Sequence, residues 1–197
     1  MNRLARWRIP LSQAFCYLLL AITAVAGSRW STVGPVFALV GLFLMAAGIL
    51  GRLWCTLYIG GHKRDTLVTE GPYSLCRHPL YLANLVGATG VALATRTLTI
   101  PAVLLLAFAA CYPPVMRSED AELDAAHGPA FRRYREATPA FLPRPRRLRE
   151  PTVVPAHAVA YRRELAQTGW FVVAYALVSI LGQLHAAGVL PVLLTLH

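Results

Sequence analysis

Between Gly71 and Tyr81 the chain reads Gly-Pro-Tyr-Ser-Leu-Cys-Arg-His-Pro-Leu-Tyr, which sets Tyr73, Arg77, His78 and Tyr81 within nine residues just before an apolar segment. Arg offers a permanent cation with a planar fork of donors, and His an imidazole that can hydrogen-bond or carry a proton. Two phenols add flat apolar faces with a polar tip. An Arg-His pair fixed by the following Pro79 is suited to holding a polar ligand at the edge of a membrane. A second set of chemical groups follows some forty residues later, where Arg117, Glu119 and Asp120 precede Phe131 and Tyr134. Taken singly, each group has a plainer use. Arg77 and His78 suit contact with lipid phosphates, the acids suit a solvated helix start, and the tyrosines suit an interfacial belt.

The elements that must position these groups are membrane helices. Of 197 residues, 56% are hydrophobic and 14% charged, against roughly 25% charged in soluble domains. Apolar runs cover Leu11 to Gly27, Val33 to Leu53, Leu80 to Ala94, Leu98 to Met116 and Trp170 to Leu196. About 20 residues cross a bilayer, so five spans are expected, with the 15-residue Leu80 to Ala94 either a short span or part of a re-entrant pair. The chain is therefore read as one all-α integral membrane domain over residues 1–197, with about five transmembrane helices and a cytoplasmic helical region. Its core motifs lie in residues 67–143, and an extra C-terminal transmembrane helix in 170–196.

Orientation follows from the basic residues. With the N-terminus inside, seventeen of the nineteen Lys and Arg lie on the cytoplasmic side, and only Arg29 and Arg96 lie outside. All nine acids fall on the inner side as well. The expected location is a bacterial inner membrane or its equivalent, with the active face cytoplasmic. The net charge of +10 then reads as an orientation signal and an attraction to anionic lipid, not a nucleic-acid footprint. Arg3, Arg6 and Arg8 before Leu11 resemble a signal-peptide start, but no convincing cleavage end follows, so a retained first helix is expected. Cys16, Cys55, Cys76 and Cys111 lack metal-type spacing, and neither a disulfide framework nor a zinc site is supported.

In the first polar region, Gly60-Gly61 and Gly71-Pro72 read as loop and turn. In the second, Ser118 is placed to cap a helix whose first turn holds Glu119, Asp120 and Glu122. Gly128-Pro129 interrupts it, and a short helix restarts with Phe131 and Tyr134 on one face. Pro139, Pro143 and Pro145 end regular structure. Glu150 to Thr168 reads as a connector with a short interfacial helix before the last span, where Trp170 and Tyr175 suit an aromatic belt.

The string Gly71-Pro72-Tyr73, then Arg77-His78-Pro79-x-Tyr81, followed by Glu119-Asp120-x-x-Leu123 and Gly128-x-x-Phe131-x-x-Tyr134, resembles the two-part signature of the isoprenylcysteine carboxyl methyltransferase family and its phospholipid N-methyltransferase relatives. The likeness covers roughly Leu67 to Pro143. It implies an integral membrane enzyme that takes S-adenosylmethionine from the cytoplasmic side and a lipid-linked or lipid-soluble acceptor from the bilayer. By the resemblance, Glu119, Arg117 and Arg77 are the candidate catalytic residues. Tyr73, His78, Pro79, Tyr81, Asp120, Phe131 and Tyr134 are the candidate cofactor-binding residues, and no metal is implied. The chain departs from the pattern at several points. Ala83 stands where the family usually has Gly, Asp120 where a second Glu is common, and Val115 where an Arg is common. His127 replaces a hydrophobic residue and Ala140 an Arg.

The chemistry needs such groups. A methyl sulfonium reacts by in-line displacement, so alignment and exclusion of water are the protein's main tasks. The cofactor's ammonium needs a carboxylate, met by Glu119 or Asp120, and its carboxylate needs a cation or amides, met by Arg77, Arg117 or backbone N–H groups. A carboxylate acceptor is already ionised at neutral pH. An amine or phenol requires a base, for which His78, Glu119 and Tyr81 are candidates. Carboxyl O-methylation of an isoprenylcysteine-like substrate is the first expectation. A phospholipid head-group amine or a small phenolic acceptor is the alternative, and a non-catalytic membrane scaffold is the reading from another class.

Overall fold

The computed structural model describes residues 21–23, 25–28, 33–60 and 66–196. The expected first span, Leu11 to Gly27, lies largely outside the described residues, as do Arg3, Arg6, Arg8, Arg29, Lys63 and Arg64. The remaining elements run in the order β1 (Ala26–Ser28), α1 (Gly34–Ile59), α2 (Pro72–Leu75), α3 (Pro79–Leu93), α4 (Thr99–His127), α5 (Pro129–Ala137), a 3-10 turn (Pro145–Arg147), α6 (Ala158–Ala186) and β2 (Leu194–Leu196). The fold is an all-α membrane protein, with α1, α4 and α6 long and apolar enough to cross a bilayer. Large apolar side chains such as Phe43, Leu106 and Trp170 stand on their outer faces, as a lipid solvent requires.

The central contact is α1 against α3. Small residues let two helix backbones approach, which is how membrane helices gain packing energy where the surrounding lipid is as apolar as they are. A β-carbon added to Gly48 would overlap the backbone of Gly87, and one added to Gly90 would overlap that of Met45. Ala83, the departure from the family glycine, is accommodated because α1 presents Gly51 opposite it. A β-carbon at Gly51 would stand 3.1 Å from that of Ala83, so the small residue this contact needs is supplied by α1.

The 15-residue α3 measures about 22 Å at 1.5 Å per residue, short of a hydrocarbon core of about 30 Å. It ends in a turn that the protein itself covers, with Ala94 and Thr97 buried and Thr95 Oγ1 donating to Ala92 O at 2.6 Å. The end of this short helix is thus covered by protein at Ala94 and Thr97, with a side chain satisfying one of its carbonyls.

Two boundaries differ from those expected. The apolar run from Leu98 and the acidic turn after Ser118 form one 29-residue helix, α4, through Pro113 and Pro114. Ser118 is not a cap, since its hydroxyl donates to Val115 O at 2.9 Å. Good helix formers continue to Gly128, whose φ of 51° ends the helix. The last helix begins at Ala158, twelve residues ahead of the expected start at Trp170, and stops at Ala186. His157 opens it, its Nδ1 accepting from Ala160 N at 3.3 Å. Gly188 at φ 70° and Pro191 end it, although the apolar composition runs on. Residues 194–196 then pair in parallel with residues 26–28, with Gly27 opposite Thr195.

Candidate functional site

The first motif is held under the end of α1. Tyr73 is buried with Cys55 and Tyr58, beside Trp54, Leu80 and Val154. Gly71 adopts φ 57°, and a β-carbon there would overlap the Tyr58 ring, so both backbone conformation and space call for glycine. Pro79 is buried at the start of α3. It restrains His78 to a non-helical conformation, φ −118° and ψ 52°, and this turns the imidazole off the helix end.

Backbone hydrogen bonds then stitch this segment to one more than sixty residues later. Arg77 N donates to Pro139 O at 2.9 Å, His78 N to Ala140 O at 3.0 Å, Arg144 N to Leu75 O at 3.1 Å and Gly71 N to Arg149 O at 2.7 Å. The Tyr134 hydroxyl donates to Tyr73 O at 2.7 Å. The prolines that end regular structure after α5 thus give an extended strip whose polar groups are satisfied by the first motif.

Asp120 is the hub between the two motifs. Its Oδ2 accepts from Arg77 Nη2 at 2.9 Å, and its Oδ1 lies 3.1 Å from His78 Nε2. Arg77 Nη1 also donates to Arg135 O at 3.0 Å. Glu119 stands next to this hub, with Oε2 3.7 Å from His78 Nδ1 and its side chain 45% exposed. The hub is shielded, with Arg77 and Asp120 side chains 12% and 16% exposed, so its charge-assisted hydrogen bonds are of the kind worth about 1.5–3 kcal/mol each.

An aromatic row extends from the hub. His78 lies 5.7 Å from Tyr81, Tyr81 lies 5.4 Å from Tyr112 edge to face, and Tyr112 stacks on Phe108 at 4.1 Å. Phe141 closes the row, 5.6 Å from Phe108. Phe108, Tyr112 and Phe141 were not among the expected site residues. The first two are four apart on α4 and read in sequence as ordinary span residues, so their only signal is that spacing.

Of the expected site residues, the structure brings together Arg77, His78, Tyr81, Glu119 and Asp120. Tyr73, Pro79, Phe131 and Tyr134 support them from inside, with Phe131 fully buried against Tyr134. Arg117 is exposed on α4 and joins none of these contacts. Burial pushes Tyr73 and Tyr134 above the usual phenol range, with the neighbouring thiols Cys55 and Cys76, respectively, adding to it. Burial also raises the Cys76 thiol to about 11. These groups are neutral at ordinary pH, so near the hub they act as donors and packing, not as bases.

Stability should carry that signature. Cys76 ionises from about 9.0 when unfolded and from about 11 when folded, so the unfolded chain gives up the proton first. The contribution is complete below pH 9 and is lost as pH rises toward 11. Thermal unfolding in detergent across pH 8–11 should fall in that window, and Cys76→Ala should flatten the fall. A variant with an unchanged profile would remove Cys76 as its source.

Arg52 and Glu164 form an ion pair that was not expected. Arg52 Nε donates to Glu164 Oε1 at 2.6 Å, and Nη1 donates to Asn84 Oδ1. Arg52 closes an apolar run in sequence, while Glu164 falls in what reads as a polar connector.

S-adenosylmethionine makes three demands, and the described groups can be set against them. A carboxylate for its ammonium is available in Glu119, whose exposure leaves it open to a ligand, whereas Asp120 is engaged by Arg77 and His78. Aromatic surface for its base is offered by the row of His78, Tyr81, Tyr112 and Phe108. The buried Tyr73 hydroxyl and Arg77 Nε have no hydrogen-bond partner, which leaves polar donors beside the hub. The residues present fit the group.

Comparison with known proteins bears on the family of the chain. Residues 31–128 match the profile of the phospholipid methyltransferase family, which belongs to the isoprenylcysteine carboxyl methyltransferase-like group of membrane methyltransferases. The chain is 42% identical over 197 residues to the cobalt-zinc-cadmium resistance protein CzcN of Cupriavidus metallidurans, covering 99% of this chain and 91% of that protein. It is 40% identical over 173 residues to the nickel-cobalt-cadmium resistance protein NccN of Alcaligenes xylosoxydans xylosoxydans, covering 86% of this chain and 78% of that protein. No solved structure has significant similarity to it.

Proposed function

Because the chain belongs to the phospholipid methyltransferase family, we propose that it transfers a methyl group from S-adenosylmethionine to a lipid-linked or lipid-soluble acceptor at the cytoplasmic face of the membrane. The observation that carries the reading is the hub at Asp120, where two segments some forty residues apart meet on charged side chains beside an aromatic row. When bound, the cofactor supplies the electrophilic methyl, and the chain's residues bind, orient and exclude water. Glu119 receives the ammonium. His78 and Arg77, held by Asp120, line the wall beside it, and Tyr81 and Tyr112 bound the adenosine slot. Arg117 remains a surface cation outside these contacts.

The acceptor follows from proton chemistry. The buried Tyr73, Tyr134 and Cys76 stay protonated, so an acceptor already ionised at neutral pH asks least of the site, whereas an amine would need His78 or Glu119 as its base. Carboxyl O-methylation of an isoprenylcysteine-like molecule is therefore the first reading. The family's own description favours a second, methylation of a phospholipid head-group amine. The relatives are named for metal resistance, and we take metal tolerance as the setting in which a methylated membrane lipid would act.

S-adenosylhomocysteine should raise the melting temperature of the detergent-purified protein, and Glu119→Gln should remove most of that rise while leaving membrane insertion intact. No shift at millimolar ligand in the parent protein would count decisively against the enzyme reading. With radiolabelled methyl donor, base-labile label on a prenylcysteine analogue would support the carboxylate, and base-stable label on phosphatidylethanolamine the amine.

A further inference from the structure

Three polar residues that the methyl-donor site does not use converge one to two helical turns inside the membrane helices. Arg52 stands seven residues before the end of α1, Glu164 six residues after the start of α6, and Asn84 five residues after the start of α3. All three therefore lie toward the end of the bundle that carries the hub. Their side chains are shielded, with Arg52 15% and Glu164 12% exposed, and the guanidinium lies 5.7 Å from the Phe171 ring centroid. An ionisable group within a span costs about 2.5–3.5 kcal/mol at mid-bilayer on insertion scales, which is why such groups pair and why they serve function.

The pairing is incomplete. Arg52 Nε and Nη2 both reach the same Glu164 oxygen, Oε1, at 2.6 and 2.5 Å, whereas a matched fork would engage two oxygens. Asn84 Oδ1 holds Nη1, which leaves the Asn84 amide N–H groups directed elsewhere. Arg52 and Asn84 lie in the stretch shared with the family, residues 31–128, and the carboxylate comes from a helix beyond it. Asn84 is also three residues from Tyr81 on α3, so the two are neighbours on the helix surface, with β-carbons about 5–6 Å apart. The cation thus lies close to the aromatic row, joined to it through Asn84 on α3.

We propose that Arg52 and Asn84 form the seat for an oxyanion of the acceptor lipid, and that Glu164 occupies this seat when no acceptor is bound. An oxyanion with two free oxygens completes the guanidinium fork and takes the Asn84 amide, and Glu164 is released as it binds. Both acceptor classes carry such a group. In a prenylcysteine it is the carboxylate that receives the methyl, and in a phospholipid it is the phosphate beside the amine. Arg52 and Asn84 are then specificity-determining residues, and the terminal helix carries a built-in competitor. The assignment rests on the methyl-transfer reading and names its substrate class.

The test uses the full-length protein in detergent, with a prenylcysteine analogue and phosphatidylethanolamine as separate probes and thermal shift as the readout. S-adenosylhomocysteine is the control for the donor site. One or both lipids should stabilise the parent protein. The double variant Arg52→Gln with Glu164→Gln keeps a neutral hydrogen-bonding pair between the helices, so it should fold and keep its S-adenosylhomocysteine shift. It should require at least about tenfold more lipid for half-saturation. Glu164→Gln alone should require several-fold less lipid, because the competing charge is gone. A double variant with unchanged lipid response would overturn the proposal, as would Glu164→Gln weakening lipid binding or a parent protein responding to neither lipid. Absence of the S-adenosylhomocysteine shift in the parent protein would sink the donor reading instead. The responding lipid identifies which oxyanion the seat takes.

Discussion

Asp120→Asn is expected to lower methyl transfer at least about 100-fold and to destabilise the protein by about 2–3 kcal/mol, the largest effect of any conservative change at the hub. The carboxylate accepts from Arg77 on one oxygen and lies against His78 on the other. An amide of the same size removes the negative charge that pairs with Arg77, and with its oxygen kept on Arg77 it turns its N–H2 toward His78 Nε2, which then has to be the accepting nitrogen of the ring. Removing one member of a buried ion pair costs about 3–5 kcal/mol, and partial exposure of 12% and 16% at Arg77 and Asp120 reduces that figure. The loss in rate follows from position. Without the hub, Arg77 keeps only its bond to Arg135 O, and His78 and Glu119 are no longer held at one distance. Misplacement of about 1 Å is enough for a hundredfold effect in an alignment-driven reaction. Asp124→Asn is the control, since its pair with Arg132 is 3.0 Å long but largely exposed and is worth less than about 1 kcal/mol. Turnover of Asp120→Asn above about a third of the parent value, with unchanged melting, would remove the hub from the proposed site.

The meeting of the two motifs was legible because residue types and order carried it. Arg77, His78, Glu119 and Asp120 are rare charges in an apolar chain, and the backbone strip from Pro139 to Arg149 follows from prolines that leave extended polar segments needing partners. Helix limits were less legible. Ser118 has the residue type of a cap, yet Pro113 and Pro114 upstream do not stop α4, and the acidic turn continues the rod. Composition placed the last helix at Trp170 because Arg162, Arg163 and Glu164 look solvated. Glu164 instead meets Arg52 across 112 residues, and a pairing at that separation leaves no local periodicity to read. The aromatic row was hidden for a related reason. Phe108 and Tyr112 are apolar span residues by type, and only their facing of Tyr81 makes them part of the row.

Gly48→Val is expected to prevent accumulation of the folded protein or to cost more than about 3 kcal/mol, while Gly169→Val is expected to cost no more than about 1 kcal/mol. Both glycines lie within helices, so intrinsic propensity favours the substitution slightly at each and cannot separate them. Packing separates them. A β-carbon at Gly48 overlaps Gly87 N and Cα and stands 2.8 Å from Ala83 O, all of them backbone atoms that no rotamer change can move. A β-carbon at Gly169 meets nothing within 4 Å. To admit the larger residue, α1 and α3 must separate, and that shifts Arg52 away from Asn84 on α3. It also shifts Cys55 and Tyr58 away from Tyr73. The hub is built on the start of α3, so its geometry is lost with the helix contact. Detergent-unfolding curves and expression yield for the two variants check the prediction, and equal stability of both would mean that the close approach of α1 and α3 does not hold the fold. A milder substitution adds the link to chemistry. Gly51→Ala brings its β-carbon to 3.1 Å from that of Ala83, a contact that a shift of a few tenths of an ångström relieves. It should leave the protein folded and depress turnover more than melting temperature, because the shift falls between the helices that carry Arg52 and Asn84.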